Sequence, residues 1–177
     1  DIGAAYADGL GAIADTLTFG VSKPFTPRLQ LNLRASISSI SATPESAGVA
    51  ATQDSEYSYY SADLVTSSLL TQGDVGILGV RFATTATADI YTFSIDTRFP
   101  LGRALRLNPR IRVDYRENTV DQSTQWSYRP GLRLQYRWGR HMRLEFEAGR
   151  EFVQRDMELI DQDRESYFVN LGYQFFY

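Results

Sequence analysis

The chain has 177 residues, enough for one domain and one closed sheet, and no cysteine, so disulfides and thiolate metal sites are excluded. A formal net charge of −3 does not indicate binding to nucleic acid. No apolar run reaches the roughly 18 residues that a transmembrane helix requires, so no such helix is predicted.

The N-terminal residues carry the weakest pattern. Residues 1–11 indicate an irregular lead-in segment or the end of a preceding strand, and we place all of 1–177 in one domain. Because the sequence begins at Asp1 with neither Met nor a signal peptide, we expect a processed mature chain or a fragment of a longer protein.

Alternating apolar and polar side chains predict five strands in the first hundred residues, because side chains on a strand point to opposite faces in turn. The predicted strands are 12–23, 28–41, 56–70, 75–85 and 89–99. The apolar face should carry Leu17, Phe19, Val21, Leu33, Tyr60, Leu64, Leu70, Val80, Phe82 and Phe93. The opposite face should carry Asp63, Arg81, Asp96 and Arg98.

The C-terminal third has the clearest alternation and predicts four more strands. The first alternates Leu107, Ile111 and Val113 with arginines, and the second does the same around Leu132 and Leu134. The third alternates apolar residues with Glu145, Glu147 and Glu151. The last places one apolar residue at every second position: Tyr167, Val169, Leu171, Tyr173, Phe175 and Tyr177.

The final strand resembles the C-terminal assembly signal of bacterial outer-membrane β-barrel proteins. That signal has a polar residue, a glycine two positions later and two aromatic residues, the second of them terminal. Asn170, Gly172, Phe175 and Tyr177 fill these places. The resemblance implies an antiparallel transmembrane β-barrel, inserted into the bacterial outer membrane by the barrel assembly machinery.

Short and long connections alternate along the chain. Tight turns are predicted at 24–27, 72–74, 100–103 and 139–141, and longer or more polar connections at 42–55, 86–88, 117–124 and 156–165. Outer-membrane barrels likewise have short periplasmic turns and longer outside loops. The predicted fold class is therefore all-β, an antiparallel transmembrane barrel of about 8–10 strands or the C-terminal part of a larger barrel. Residues 1–8 could supply a tenth strand only in part.

Aromatic residues concentrate near the predicted strand ends, where a membrane interface would place them. Tyr57 and Tyr59 belong to the loop end in this interpretation. The strongest candidates for interfacial positions are Trp126, Tyr128, Tyr136, Trp138 and Tyr167.

A charged ladder is predicted on the inner face of the last strands. A short loop at 139–141 would pair Trp138 with Met142 and Arg133 with Glu147. The same register would face Arg129 with Glu151, Gln135 with Glu145, and Gly131 with Gly149. The two glycines would leave room for Arg110 or Arg112. Two interpretations stay open for this ladder: an ion-pair network that fills a narrow lumen, or a basic strip along an anion channel.

Catalysis and metal binding have little support, so we predict a protein that is not an enzyme and has no cofactor. The lone histidine, His141, lies in a turn. An acidic run could attract calcium but has no spaced ligand motif; it comprises Asp156, Glu158, Asp161, Asp163 and Glu165.

Three residues oppose a regular membrane strand. Pro109 and Pro130 interrupt two strands and predict bulges or incomplete pairing. Arg150 falls on the apolar face and would need to snorkel toward head groups.

The sequence favours a membrane anchor or export channel of a larger secretion or polysaccharide-export protein. A small free-standing porin or adhesion-type barrel is the second hypothesis, and a soluble barrel that binds an apolar ligand is the third. Expected partners are outer-membrane lipid, lipopolysaccharide, the assembly machinery, and other subunits or a missing periplasmic domain.

Overall fold

The computed structural model describes residues 13–43, 51, 53–156 and 162–176. They form one antiparallel sheet in which the nine strands are neighbours in chain order. The strands are β1 (Ala14–Thr26), β2 (Leu29–Ile40), β3 (Ser55–Ser67), β4 (Val75–Thr84), β5 (Ala88–Leu101), β6 (Leu105–Asn118), β7 (Thr124–Trp138), β8 (Met142–Asp156) and β9 (Gln162–Phe175). The predicted all-β antiparallel fold of eight to ten strands is confirmed. No helix in the described ranges is long and apolar enough to cross a membrane.

The two faces of the sheet are distinct along two neighbouring register rows from β1 to β7. One register row crosses seven strands and carries Phe19, Ala35, Tyr60, Phe82, Tyr91, Tyr115 and Trp126. The neighbouring row on the other side carries Arg34, Ser61, Arg81, Thr92, Asp114 and Ser127. We call these sides the apolar face and the polar face. The predicted placement of Asp63 and Arg81 on the polar face is confirmed.

The apolar face is not covered by any other part of the described chain. Ala88 is the only apolar residue that is buried among the described residues. On the apolar face, 40% of Leu132, 42% of Phe146 and 81% of Leu171 are exposed, whereas Glu147 on the polar face is only 8% exposed. A sheet in water normally buries its apolar face against a second layer, so this distribution is the reverse of a soluble domain.

The sheet is open between its first and last strands. Within the described residues, β1 and β9 are the two edges and make no contact with each other. Alternate strands of an antiparallel meander run in the same direction, so β1 and β9 run parallel. An antiparallel closure therefore needs an odd number of additional strands.

The turn predicted at 24–27 is shorter than expected. β1 continues through Pro24 to Thr26, and only Pro27 and Arg28 form the turn. The register shifts between Pro24 and Thr26. The proline is tolerated there because β1 is an edge strand and the irregularity removes the need for its missing N–H.

The turn after β3 is longer than predicted. β3 ends at Ser67 rather than at 70, because the Asp74 carboxylate accepts hydrogen bonds from the backbone N–H groups of Leu69, Leu70 and Thr71 at 2.8, 2.8 and 2.9 Å. These bonds satisfy the backbone locally and remove Leu70 from the predicted strand.

The loop predicted at 156–165 is shorter than expected, because β8 extends to Asp156 and β9 begins at Gln162. Three members of the acidic run, Asp156, Asp163 and Glu165, therefore belong to strands. Glu158 and Asp161 lie outside the described residues.

Pro109 and Pro130 produce incomplete pairing rather than bulges. Asn108 and Pro109 lack register partners on β5, and Arg129 and Pro130 lack them on β8, but the register is the same on both sides of each gap. Toward each other, β6 and β7 remain fully paired, with Pro109 opposite Leu132 and Ile111 opposite Pro130. Each proline thus costs pairing with one neighbour only.

Candidate functional site

The charged ladder of β6, β7 and β8 is the candidate site on the polar face. The predicted pairing of Arg133 with Glu147, Gln135 with Glu145 and Gly131 with Gly149 is confirmed. We call the following set the arginine–carboxylate network: Arg110, Arg112, Asp114, Arg129, Arg133, Glu145, Glu147 and Glu151. It brings together every residue of the predicted ladder.

Glu147 is the shared partner of Arg110 and Arg133, which form the half of the network nearer the turn end. Its Oε2 accepts from Nε and Nη2 of Arg133 at 2.9 and 2.8 Å, and its Oε1 accepts from Nη2 of Arg110. The Glu147 side chain is 10% exposed, so two guanidinium groups compensate one nearly buried carboxylate. Such a carboxylate is costly to leave unpaired, which makes Glu147 the residue on which this half depends.

Asp114 is the shared partner of Arg112 and Arg129, which form the half of the network nearer the loop end. The sequence alone did not indicate this role. It accepts from Thr92 Oγ1 at 2.6 Å and from Arg112 Nε at 3.0 Å, and it also binds Nη2 of Arg129. Arg112 and Arg129 lie directly opposite each other on β6 and β7, so the carboxylate lies between two facing arginines. Asp114 becomes a shared partner because arginine side chains from β6 and β7 both reach it.

Two more exposed pairs extend the network. Arg129 Nε lies 3.4 Å from Glu151 Oε1, and Arg133 Nε lies 3.3 Å from Glu145 Oε1. Gln135 also donates to Glu145 at 2.9 Å. Pairs that are more than a third exposed contribute little individually, about 0.2–1 kcal/mol each.

The facing glycines accommodate a long side chain, as predicted. An added Cβ at Gly131 would lie 2.9 Å from Arg110 Nε, so Arg110 crosses β7 over this glycine to reach Glu147. An added Cβ at Gly149 would lie 2.7 Å from the Phe168 ring and 2.9 Å from the Pro130 carbonyl oxygen. Phe168 therefore occupies the space above Gly149, and its ring lies 5.9 Å from the Arg110 guanidinium.

Arginines outnumber carboxylates on the polar face as a whole. The registers place these arginines on it: Arg34, Arg81, Arg98, Arg106, Arg110, Arg112, Arg116, Arg129, Arg133, Arg137, Arg143, Arg155 and Arg164. The carboxylates on the same face are Asp63, Asp96, Asp114, Glu145, Glu147 and Glu151. The chain is slightly acidic overall, so its negative charge is concentrated elsewhere, and this face is a positive surface.

The apolar face carries a continuous row of aromatic rings near its loop end. Successive ring centroids from Tyr60 through Phe82, Tyr91 and Tyr115 to Trp126 are 6.3, 4.8, 6.0 and 4.6 Å apart. Contacts between aromatic rings at these separations are favourable.

The predicted interfacial residues all lie on the apolar face, and all are exposed. They are Trp126 (50% exposed), Tyr128 (42%), Tyr136 (45%), Trp138 (65%) and Tyr167 (82%). Tyr57 and Tyr59 do not belong with them, because their partners Ser38 and Ser36 place them on the polar face. The strand alternation fixes this, since Tyr60 is on the apolar side.

The residues of the predicted assembly signal divide between the two faces. Phe175 pairs with Met142 on the apolar face, whereas Asn170 and Gly172 pair with Glu147 and Glu145 on the polar face. Tyr177 lies outside the described residues. Arg150 lies on the apolar face, as predicted, where it pairs with Glu165 on the same face and lies 5.2 Å from the Phe152 ring centroid.

The Asp121 carboxylate joins the β6–β7 connection to the end of β8. Asp121 accepts from Ser123 Oγ at 2.7 Å, from Ser123 N–H at 3.1 Å and from Arg155 Nη2 at 2.6 Å. The Ser123 hydroxyl is the largest cause of the lowered pKa of Asp121, and Arg155 adds to it. The Asp121 carboxylate is therefore ionised at neutral pH.

His141 lies in the turn before β8, with Nδ1 3.2 Å from the Phe176 carbonyl oxygen. The described residues contain no group of three or more histidine, aspartate or glutamate side chains that could hold a metal ion.

Comparisons with known proteins identify no family. No protein-family model and no curated protein matches the sequence. Among solved structures, a KdgM porin in complex with disordered oligogalacturonate is similar at 12% identity, with 94% of this chain and 95% of that chain covered and a TM-score of 0.40.

Proposed function

We propose that the protein is an integral β-barrel of the bacterial outer membrane, with its apolar face in lipid and its polar face around a lumen. One observation carries the proposal: the apolar face is uncovered, whereas Thr92, Asp114, Ser127 and Glu147 on the polar face are buried. Lipid removes the cost of exposing the apolar face to water, and closed barrels satisfy every backbone hydrogen bond inside a bilayer.

The height of the apolar band supports this environment. Along β7, Trp126 and Tyr136 mark the two ends of the band. At ~3.4 Å per residue the interval spans about 34 Å along the strand, and at a tilt of about 45° it spans ~24 Å across the bilayer. The apolar band of outer-membrane barrels is about 25 Å tall.

The open edges support a barrel that further strands complete. Since β1 and β9 run parallel, antiparallel closure needs at least one strand besides the nine described here. Residues 1–8 would supply such a strand only in part, and other subunits or other parts of a larger protein would supply the rest. We therefore propose a role as the membrane anchor or export channel of a larger secretion or polysaccharide-export protein.

The membrane proposal is tested by fractionation after expression in a Gram-negative host. We expect the protein in the outer membrane, extractable only by detergent, with a gel mobility that changes on heating. Recovery in the soluble fraction with a mobility independent of heating would instead support the third hypothesis, the soluble apolar-ligand binder. A concavity of about 820 Å³ on the apolar face, lined mostly by β1 to β7 from Phe19 to Trp126, is where that ligand would bind.

The assembly signal is tested by Phe175→Asp and by deletion of Tyr177. Both should lower the level of folded barrel in the outer membrane by about tenfold, because the assembly machinery would no longer recognise the last strand. Tyr59→Asp is a matched control, since it places the same charge on the polar face. Equal membrane levels of all three variants would refute the assembly role of the final strand.

A free-standing porin that passes anions is a second candidate function, and the excess of arginine on the polar face favours it. Planar-bilayer recordings under a KCl gradient distinguish the two. A porin should conduct and show a reversal potential that favours chloride, whereas an anchor with a filled lumen should give no stable conductance.

A further inference from the structure

Four arginines lie close together at the turn end of the polar face, beyond the arginine–carboxylate network. Arg103 follows Gly102 in the β5–β6 turn, and Arg106, Arg137 and Arg143 lie on β6, β7 and β8. Together with Ala104 and Gln135 they line a cavity of about 20 Å³. We call these four residues the turn-end arginine cluster.

The cluster has no compensating charge in the described part of the chain. None of its four arginines forms an ion pair there. The nearest network carboxylate along β8, Glu145, is already bound by Arg133 and Gln135. Arg137 and Arg143 face each other directly across β7 and β8, an arrangement that destabilises a sheet when nothing lies between the charges.

The same protein shows how a facing arginine pair is satisfied. Arg112 and Arg129 also face each other, and the Asp114 carboxylate lies between their guanidinium groups. The Arg137–Arg143 pair has the same cross-strand geometry without the carboxylate. Arg143 is held from the other side by the Phe176 ring, 5.4 Å away, so its guanidinium is partly ordered in advance.

We propose that the turn-end arginine cluster binds an oxyanion, a carboxylate or phosphate group, in the position that Asp114 occupies between Arg112 and Arg129. Guanidinium forks match the paired oxygens of both groups. The small cavity admits one or two oxygens while the rest of the ligand stays outside. This inference goes beyond the proposed function and does not depend on it, because the cluster lies on the polar face whatever covers the apolar face.

The oxyanion could belong to a lipid head group or to a solute, and the test separates these sources. The folded protein in a maltoside detergent, which contains no phosphate, is titrated with inorganic phosphate and with acetate by calorimetry. The same protein is then reconstituted into phosphatidylcholine vesicles with and without phosphatidylglycerol, and phosphate binding is measured again. Phosphate binding that is weaker in the vesicles with phosphatidylglycerol identifies a lipid head group as the ligand. Phosphate binding that is equal in both kinds of vesicle identifies a solute as the ligand.

Arg137→Gln/Arg143→Gln should weaken phosphate binding at least tenfold. Arg28→Gln/Arg140→Gln removes the same charge from turns outside the cluster and should change it less than twofold. Arg137→Lys/Arg143→Lys keeps the charge without the forks and should give an intermediate loss, which also covers the case in which the glutamine variant does not fold. Equal losses in cluster and control variants, or no saturable binding by the unmodified protein, would overturn the proposal.

Discussion

The polar face has two halves that use different chemistry. Between β1 and β2, short neutral side chains pair across the strands: Thr16 with Ser38 at 2.9 Å, Thr18 with Ser36 at 3.0 Å, and Ser22 with Asn32 at 2.8 Å. From β6 to β8, arginines and carboxylates instead form ion pairs, and some of these side chains reach over a neighbouring strand. The same backbone pairing thus carries short neutral side chains in one region and long charged side chains in the other.

The two regions should differ in their sensitivity to substitution. A neutral pair affects only its own two strands, so each is worth about 0.5–1.5 kcal/mol at most. In the charged half, one carboxylate serves two arginines from different strands. Its loss therefore uncouples β6, β7 and β8 together.

The largest expected effect comes from Glu147→Gln. It should lower the free energy of unfolding by about 2 kcal/mol, because Arg110 and Arg133 both lose a nearly buried partner but remain partly exposed. Ser36→Ala in the neutral half should cost less than about 1 kcal/mol. Urea unfolding in vesicles, followed by fluorescence of Trp126 and Trp138, measures both. Equal costs would remove the distinction between the halves.

Glycines in the two regions differ in how tightly their surroundings are packed. Gly149→Ala should cost about 1–2 kcal/mol because its Cβ meets Phe168 and the Pro130 carbonyl oxygen, and the backbone contact cannot move aside easily. Gly20→Ala is the control from the neutral half, where the nearest atom is the Leu33 carbonyl oxygen at 3.8 Å. The same unfolding measurement should show almost no change for this control. A larger loss of stability for Gly20→Ala than for Gly149→Ala would mean that the region between β1 and β2 is the more tightly packed.

Salt should separate the halves more subtly. Glu151→Gln should cost less than about 1 kcal/mol at low ionic strength, since its pair with Arg129 is long and partly exposed. At ~1 M salt the Debye length falls to about 3 Å, and the cost should vanish. Thr18→Val changes a neutral pair, so its cost should not depend on salt. A salt-independent cost for Glu151→Gln would show that the exposed pair is not screened.

The smallest effect concerns pH and lies in the turn after β3. The hydrogen bond from Thr71 is the first cause of the lowered pKa of Asp74, with further backbone donors at Leu70, Leu69 and Ser68. A lowered pKa means that Asp74 stabilises the turn above its ordinary value of 3.8, and that this contribution is lost as pH falls through the lowered pKa. Asp74→Asn should therefore flatten the acid side of the stability–pH curve, measured by unfolding midpoints. An unchanged acid side would contradict the assignment.

Much of the fold was predictable because strands have a period of two and short loops fix register. The pairing of Trp138 with Met142 determines every later pair of that hairpin, including Arg133 with Glu147. Tyr57 and Tyr59 were misassigned because nearness to a strand end does not decide which face a side chain occupies.

Other features depend on contacts that alternation does not encode. The end of β3 follows from Asp74 binding backbone groups several residues earlier, and the importance of Asp114 follows from two arginines on different strands. That Arg137 and Arg143 form no ion pair within the described part of the chain follows from side-chain positions, which the alternation does not give. Side-chain length and reach, rather than polarity, decide these cases.

The parallel directions of β1 and β9 have a consequence for contacts between copies. Proteins inserted into one membrane all point the same way, so the free edges of two upright copies could meet only as parallel neighbours. In water, one copy can turn upside down, and edge can then join edge in the antiparallel manner that sheets form most readily. In the proposed membrane location, the fixed orientation would therefore oppose antiparallel edge-to-edge stacking, and release into solution would remove this barrier.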